Sequence, residues 1–365
     1  MIIQSENQFV ATTFLENIQE GTLQWSAPSN IALVKYWGKQ EVSTPQIPAN
    51  PSISFTLNHC KTITQLHFQK KAHTHDFSFE LLFEGQPKEA FKPKILQFFE
   101  RIVKYCPYLK AYHFQIDTQN TFPHSSGIAS SASGMAALAM NIMSLEKLLN
   151  PQITDEYFYK KASFLARLGS GSACRSIKGQ LVIWGQHPHF DSSDVFGIPF
   201  PNQIHEVFTD FQDTILLVDK GEKQVSSTLG HNLMHGHPFA TQRFEQAKLQ
   251  LHQLSLAISK GDLETFIAIV ESEALTLHAM MMTSMPYFIL MKPPTLAIIN
   301  AIWQFRKTTQ VPVCFTLDAG ANVHVLYPKK YLKAVETFIQ QELVVYCQKG
   351  QYICDEVGHG ATQMI

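Results

Sequence analysis

Pro123-His-Ser-Ser-Gly-Ile-Ala-Ser-Ser-Ala-Ser-Gly134 is the stretch around which the rest of the chain arranges itself. A strand-like segment, Tyr112 to Asp117, precedes it and ends at the turn-like Gln119-Asn120. A helix follows, with Leu138, Ile142, Leu145 and Leu149 on one face and Asn150-Pro151 to stop it. Small residues between a strand and a helix let the backbone come close to a ligand. The unpaired N–H groups of a helix start attract anions, and four serine hydroxyls add donors. That describes a phosphate cradle, although the lysine-bearing P-loop and the G-x-G-x-x-G turn are both absent. Tight helix packing through Ala, Ser and Gly is the other reading, and this segment alone leaves the two level.

Working outward, a second helix capped by Thr154 carries Phe158, Ala162, Leu165 and Leu168 and ends at Gly169. Gly169-Ser-Gly-Ser-Ala-Cys-Arg-Ser176 follows at once. Its arginine fork suits a carboxylate or phosphate, while a solvated surface loop is the alternative. Upstream, Leu23 to Phe83 is strand-rich, with alternation at Ile53, Phe55 and Leu57 and again over Thr62 to Phe68; Lys94 to Tyr105 reads as a helix. Trp25-Ser-Ala-Pro-Ser-Asn-Ile-Ala-Leu-Val-Lys-Tyr-Trp-Gly-Lys39 sets Lys35 in an apolar run, where it either snorkels or is paired. Downstream come a strand at Thr214–Val218, one long helical stretch from about Pro238 to Met282, and a further helix. Val313, Phe315 and Leu317 then meet the turn Asp318-Ala-Gly-Ala-Asn322. Asp318 there either opens a turn or offers an acid at a strand end. Residues 1–22 read as a polar extension or short helix. Strands and helices mix without a βαβ period, which predicts an α+β fold.

Composition narrows the function classes. The 365 residues hold 29 Lys+Arg against 30 Asp+Glu, a formal net charge of −1, so no basic surface for nucleic acid is expected. With 45% hydrophobic and 16% charged residues, disorder is excluded. The six cysteines form no C-x-x-C pair and read as buried free thiols. No secretory signal is evident, and Ile128–Leu149 has too many polar interruptions for a membrane span. The expectation is a soluble, cytoplasmic protein without a membrane partner. The 16 histidines show no H-E-x-x-H spacing, and no metal ligands are assigned.

Pro123–Ser133 resembles the P-x-x-x-G-[LI]-x-S-S-A loop of the GHMP kinase superfamily, which includes galactokinase, homoserine kinase and mevalonate kinase. Ser26–Lys39, Gly169–Ser176, Val225-Ser-Ser-Thr228 and Leu317-Asp-Ala-Gly320 resemble its diphosphomevalonate decarboxylase branch, in the family's order. Departures stand at Gln40-Glu41, Pro51, His124-Ser-Ser126 and Ala321. The resemblance implies two parts, 1–205 and 206–365: an N-terminal part like ribosomal protein S5 domain 2 and a ferredoxin-like C-terminal part, with the active-site cleft between them. It implies ATP-dependent decarboxylation of (R)-5-diphosphomevalonate to isopentenyl diphosphate, with Mg2+, in a homodimer. Asp318 then accepts the C3-hydroxyl proton, Lys35 neutralises charge beside it, and Arg175 clamps the carboxylate or diphosphate. Tyr36, Lys39, Ser170, Ser172 and Ser227 complete the acidic tail's pocket. Asn30, Asn120, Gly127, Ser130 and Ser131 are expected on ATP. A phosphomevalonate decarboxylase, a mevalonate 3-kinase, or a non-catalytic ligand-binding paralogue remain as alternatives.

Overall fold

The two alternating patterns at residues 53–57 and 62–68 belong to a single strand. In the computed structural model, which describes residues 6–42, 44–72, 75–123, 128–220 and 227–365 (the side chains of residues 227 and 228 excepted), β1 spans Glu20–Val34 and β2 spans Ser52–Lys70. They pair antiparallel along most of their length. From Cys60 to Phe68 every second residue of β2 is buried, as in a sheet with one face on a core. Its first residues are buried throughout, because a second core covers their other face.

β3 (Ser78–Phe83), α1 (Lys92–Ile102), β4 (Tyr112–Asn120), α2 (Ser130–Leu149), α3 (Asp155–Gly169) and β5 (Leu181–Trp184) complete the first half. β4 pairs with the second half of β2, and β5 with its start. β3 lies parallel to β4. Helices α1, α2 and α3 cover one face of this sheet around Phe98, Phe114, Leu138 and Phe164. Thr154 caps α3 as expected, its hydroxyl accepting from Tyr157 N–H at 3.3 Å.

The second half comprises β6 (Gln212–Leu216), α4 (Ala240–Lys260), α5 (Leu263–Met282), α6 (Pro293–Thr309), β7 (Cys314–Thr316), β8 (Val323–Tyr327), α7 (Leu332–Phe338) and β9 (Tyr352–Glu356). Its sheet runs β9-β6-β8-β7. Ile215 and Leu326 face inward with α4 and α5, whereas Phe315 and Val325 face α6 and α7. This is the α+β arrangement expected. The strand β6 begins two residues earlier than the sequence pattern suggested.

Three features depart from the sequence expectation. The long helical stretch is two helices, because Gly261 takes a left-handed φ of 77° and Asp262 caps α5 by accepting from Thr265 N–H at 3.0 Å. The last strand, β10 (Thr362–Gln363), crosses back to pair with β1 of the first sheet. The segment ahead of β1 is docked, with Phe9 fully buried and stacked on Phe164 at 4.4 Å. Helix α5 is long and apolar enough to cross a membrane; here Phe266, Val270, Ala274 and Leu277 are spent on the core.

One charged contact lies deep between α2 and α3. Lys161 Nζ bonds both oxygens of Glu146, at 2.7 and 2.6 Å, and Tyr108 Oη donates to the same carboxylate at 3.0 Å. Replacing one partner strands the other charge. Lys161→Met should therefore cost about 3–5 kcal/mol in urea unfolding, and Lys161→Met with Glu146→Leu should recover most of it.

Candidate active site

Lys35 is the first residue beyond β1, and its backbone is gripped from both sides. Its N–H donates to Glu273 Oε2 at 2.8 Å. Its carbonyl accepts from Asn50 Nδ2 at 2.9 Å and from Arg243 at 3.3 Å. Arg243 on α4 and Glu273 on α5 form a fully buried bidentate pair at 2.9 and 2.5 Å. That anchor aims the Lys35 side chain at Asp318, whose Oδ1 lies 3.2 Å from Nζ.

Asp318 follows β7 and is held through its carbonyl, which accepts from His278 Nε2 at 3.1 Å. The lysine is 2% exposed and the aspartate 32%, so the carboxylate faces the opening with a buried cation behind it. Burial pulls the Lys35 pKa down, while Asp318 and then Glu273 pull it back up. The pair unites strand ends from two different sheets.

A second group gathers around the turn Gly171–Ser176. Arg175 is buried, donating from Nε to Ser54 Oγ and from NH1 to Ser52 Oγ, each at 2.6 Å, and lying over Trp184 at 5.7 Å. The expected clamp thus already has two of its nitrogens on β2 hydroxyls. The hydroxyl of Tyr36 is buried with no hydrogen-bond partner, and a Cβ at Gly171 would come within 3.0 Å of it. An orphaned phenol beside a turn that tolerates no side chain fits an incoming acceptor. Ser170 and Ser172 are half-buried on the same turn.

Lys39 is half-buried, and its pKa is lowered by burial and then by the neighbouring Arg101. Arg101, on α1, donates to Leu168 O at 2.8 Å and is likewise half-buried. Among the described residues neither cation has a carboxylate within ion-pair distance. Two adjacent unneutralised cations make an anion site. The helical reading of residues 94–105 followed its apolar face, so nothing in the sequence marked Arg101.

The nucleotide-side expectations divide by position. A cavity lined by Thr62, Phe83, Phe91, Lys94, Asn120, Ser130 and Ser131 opens at the start of α2. Ser130 begins that helix and Lys94 Nζ donates to Ser131 Oγ at 2.5 Å. Ser133, by contrast, is buried against Thr62 at 2.6 Å, and Ala132, Ala136 and Ala137 are packed away entirely. Successive residues of one segment thus meet different surroundings, Ser130 and Ser131 at the cavity and Ser133 with the alanines in helix packing. Asn120 Oδ1 accepts from Thr62 Oγ1 at 2.8 Å at the cavity edge. Asn30 is not there. Its amide donates to Ser172 O at 3.2 Å and Ser176 Oγ at 2.8 Å, bracing the Gly171–Ser176 turn, because β1 delivers it to that side. Gly127 and the Ser227 side chain, with His124, lie outside the described residues.

Residues 27–195 match the diphosphomevalonate decarboxylase-like N-terminal domain, and residues 214–360 the mevalonate 5-diphosphate decarboxylase C-terminal domain. The chain belongs to the diphosphomevalonate decarboxylase family. It is 30% identical to the diphosphomevalonate decarboxylase of Ganoderma lucidum over 86% of this chain and 80% of that relative. Against that of Saccharomyces cerevisiae it is 30% identical over 84% and 78%. Among solved structures it is similar to the Enterococcus faecalis decarboxylase (28% identity, TM-score 0.78, 94% of this chain and 99% of that one). It is also similar to a decarboxylase in complex with MVAPP, AMPPCP and magnesium (29% identity, TM-score 0.80, 94% and 99%). The two-part α+β fold is thus the one shared by the decarboxylase family.

His278 gives this site a pH signature. Burial holds its pKa at about 4 against an ordinary 6.5. The unfolded ring protonates first, so the stabilisation is complete above pH 6.5 and is lost as pH falls toward 4. The loss amounts to about 3 kcal/mol. Denaturant unfolding across this window should show a shallower acid decline for His278→Asn than for the wild type.

Proposed function

We propose that this chain catalyses the ATP-dependent decarboxylation of (R)-5-diphosphomevalonate to isopentenyl diphosphate, with ADP, phosphate and CO2 as the other products. The observation that carries the reading is the Lys35–Asp318 pair at 3.2 Å, a part-exposed carboxylate backed by a buried lysine where strand ends of the two sheets meet.

The substrate's C3 hydroxyl is tertiary and leaves poorly. Asp318 accepts its proton as the oxygen takes the γ-phosphoryl group of ATP, and ADP departs. The C3–O bond then breaks with loss of phosphate. The C1–C2 electrons become the C2=C3 double bond, and C1 leaves as CO2. Lys35, anchored by Glu273 and Arg243, keeps a positive charge beside Asp318 during the transfer. The first-turn amides of α2 with Ser130 and Ser131 take the ATP phosphates, and the cavity behind them takes the base. Magnesium, when bound, neutralises phosphate oxygens. No group of three or more His, Cys, Asp or Glu side chains gathers among the described residues.

Tyr36, Lys39, Arg101, Arg175, Ser170 and Ser172 receive the acidic tail. Two adjacent cations without a carboxylate partner among the described residues favour a diphosphate over a monophosphate. The family resemblance also supports a cytoplasmic homodimer, to be tested by light scattering of the purified protein.

Product analysis with ATP and mevalonate, its 5-phosphate or its 5-diphosphate separates the readings. CO2 release with the diphosphate preferred is expected; phosphorylation without CO2 would instead identify a 3-kinase. Asp318→Asn should abolish ADP formation while keeping the fold and substrate binding, and near-wild-type turnover would sink the assignment. Arg101→Met should raise KM for the diphosphate by about tenfold and change that for the monophosphate less, since one contact to the second phosphate is lost.

A further inference from the structure

We infer that the segment ahead of β1 belongs to the substrate-tail site, with Glu6 as a positioning residue for the hairpin that carries Lys39. The inference rests on the reading of Lys39 as a tail-binding residue. Glu6 lies outside the region that matches the family, which begins at residue 27.

The connection runs through Arg167. This arginine is fully buried on α3, two residues before Gly169 and the turn that follows. Its three nitrogens reach three different segments. Nε donates to Val195 O at 2.9 Å, NH1 to Pro45 O at 2.7 Å, and NH2 to Glu6 Oε1 at 2.8 Å. The other oxygen of Glu6 accepts from Tyr105 Oη at 3.0 Å and from Thr44 Oγ1 at 3.4 Å. Among the described residues Glu6 is the carboxylate that neutralises Arg167.

Thr44 and Pro45 lie near the tip of a hairpin whose base is the binding segment. Gln40 N–H donates to Ile47 O at 3.0 Å, Ala49 N–H to Gly38 O at 3.2 Å, and Lys39 bridges Pro48. Glu6 and Arg167 thus hold the tip, and the tip holds the base. The charge of Arg167 also reaches Tyr36 and Cys174, so one buried cation underlies both sides of the tail site.

The segment is fixed well enough to serve. Phe9 is in the core, Ala11 N–H donates to Tyr105 O at 3.0 Å, and Leu15 N–H to Leu149 O at 2.8 Å. Without the carboxylate, Arg167 remains buried and unpaired, and it relieves itself by drawing water or shifting Pro45. The hairpin then loosens at Lys39, while Lys35 stays held by Glu273 and Arg243. Tail binding suffers and the chemical step does not.

The test compares the wild type with Glu6→Gln, which keeps the shape, and with Val335→Ala, a destabilising change in the far core around α7. In Glu6→Gln, hydrogen exchange at the Gln40 and Ala49 amides should accelerate. The Kd for inorganic pyrophosphate and the KM for the diphosphate substrate should rise about tenfold, with kcat within about twofold. Val335→Ala should leave all of these unchanged. Unaltered exchange and pyrophosphate affinity in Glu6→Gln, or equal changes in Val335→Ala, overturn the inference. Should Glu6→Gln not fold, Thr44→Val, which removes one hairpin contact to Glu6, must show the same direction in both readouts or the inference falls. Faster exchange in Glu6→Gln, in a protein that neither binds pyrophosphate nor forms product, would leave the brace standing and overturn the proposed function instead.

Discussion

A buried ion pair between two helices holds the centre of this molecule. Arg243 and Glu273 bind each other without solvent, and both also bind the backbone of Lys35. A residue whose two flanking peptide groups are both hydrogen-bonded cannot drift, so the lysine emerges in a fixed direction. Helices α4 and α5 belong to the second half of the chain and β1 to the first. The pair that anchors the lysine therefore also ties the two sheets together at the point where Asp318 arrives.

Local charge does what net charge cannot. A chain with 29 basic and 30 acidic residues has no electrostatic reason to attract a polyanion as a whole. The near balance conceals an uneven placement. Glu146 with Lys161, Glu6 with Arg167 and Glu273 with Arg243 remove charge from the interior in pairs. Among the described residues Lys39 and Arg101 are left beside each other without an acid at ion-pair distance. Among the described residues the acids are paired elsewhere, and that is what leaves this small region positive.

Much of the site was legible along the chain. Lys35, Asp318, Tyr36 and Arg175 stand in short motifs whose residue types have few structural uses in that combination. Periodicity located the helices that begin at Ser130 and Asp155, and the strand alternation of β2, because each has one face on a core. Asn30 was expected on ATP and its amide braces the Gly171–Ser176 turn, since a motif says which residues are near in sequence but not which way a strand points them. The paired helices α4 and α5 were read as one, because a glycine and an aspartate in a continuous apolar pattern are a weak break until the left-handed turn is seen.

The sequence by itself determined the fold class and the family, because local pattern and motif order depend only on neighbours along the chain. The tertiary structure alone decided what Arg101, His278, Glu273 and Glu6 meet. Each acts on a residue dozens to hundreds of positions away, as when Glu6 meets Arg167 or His278 meets the carbonyl of Asp318. Such contacts carry no periodicity and no spacing. They exist only where packing brings a buried charge or an unpaired backbone group to the one partner that can satisfy it.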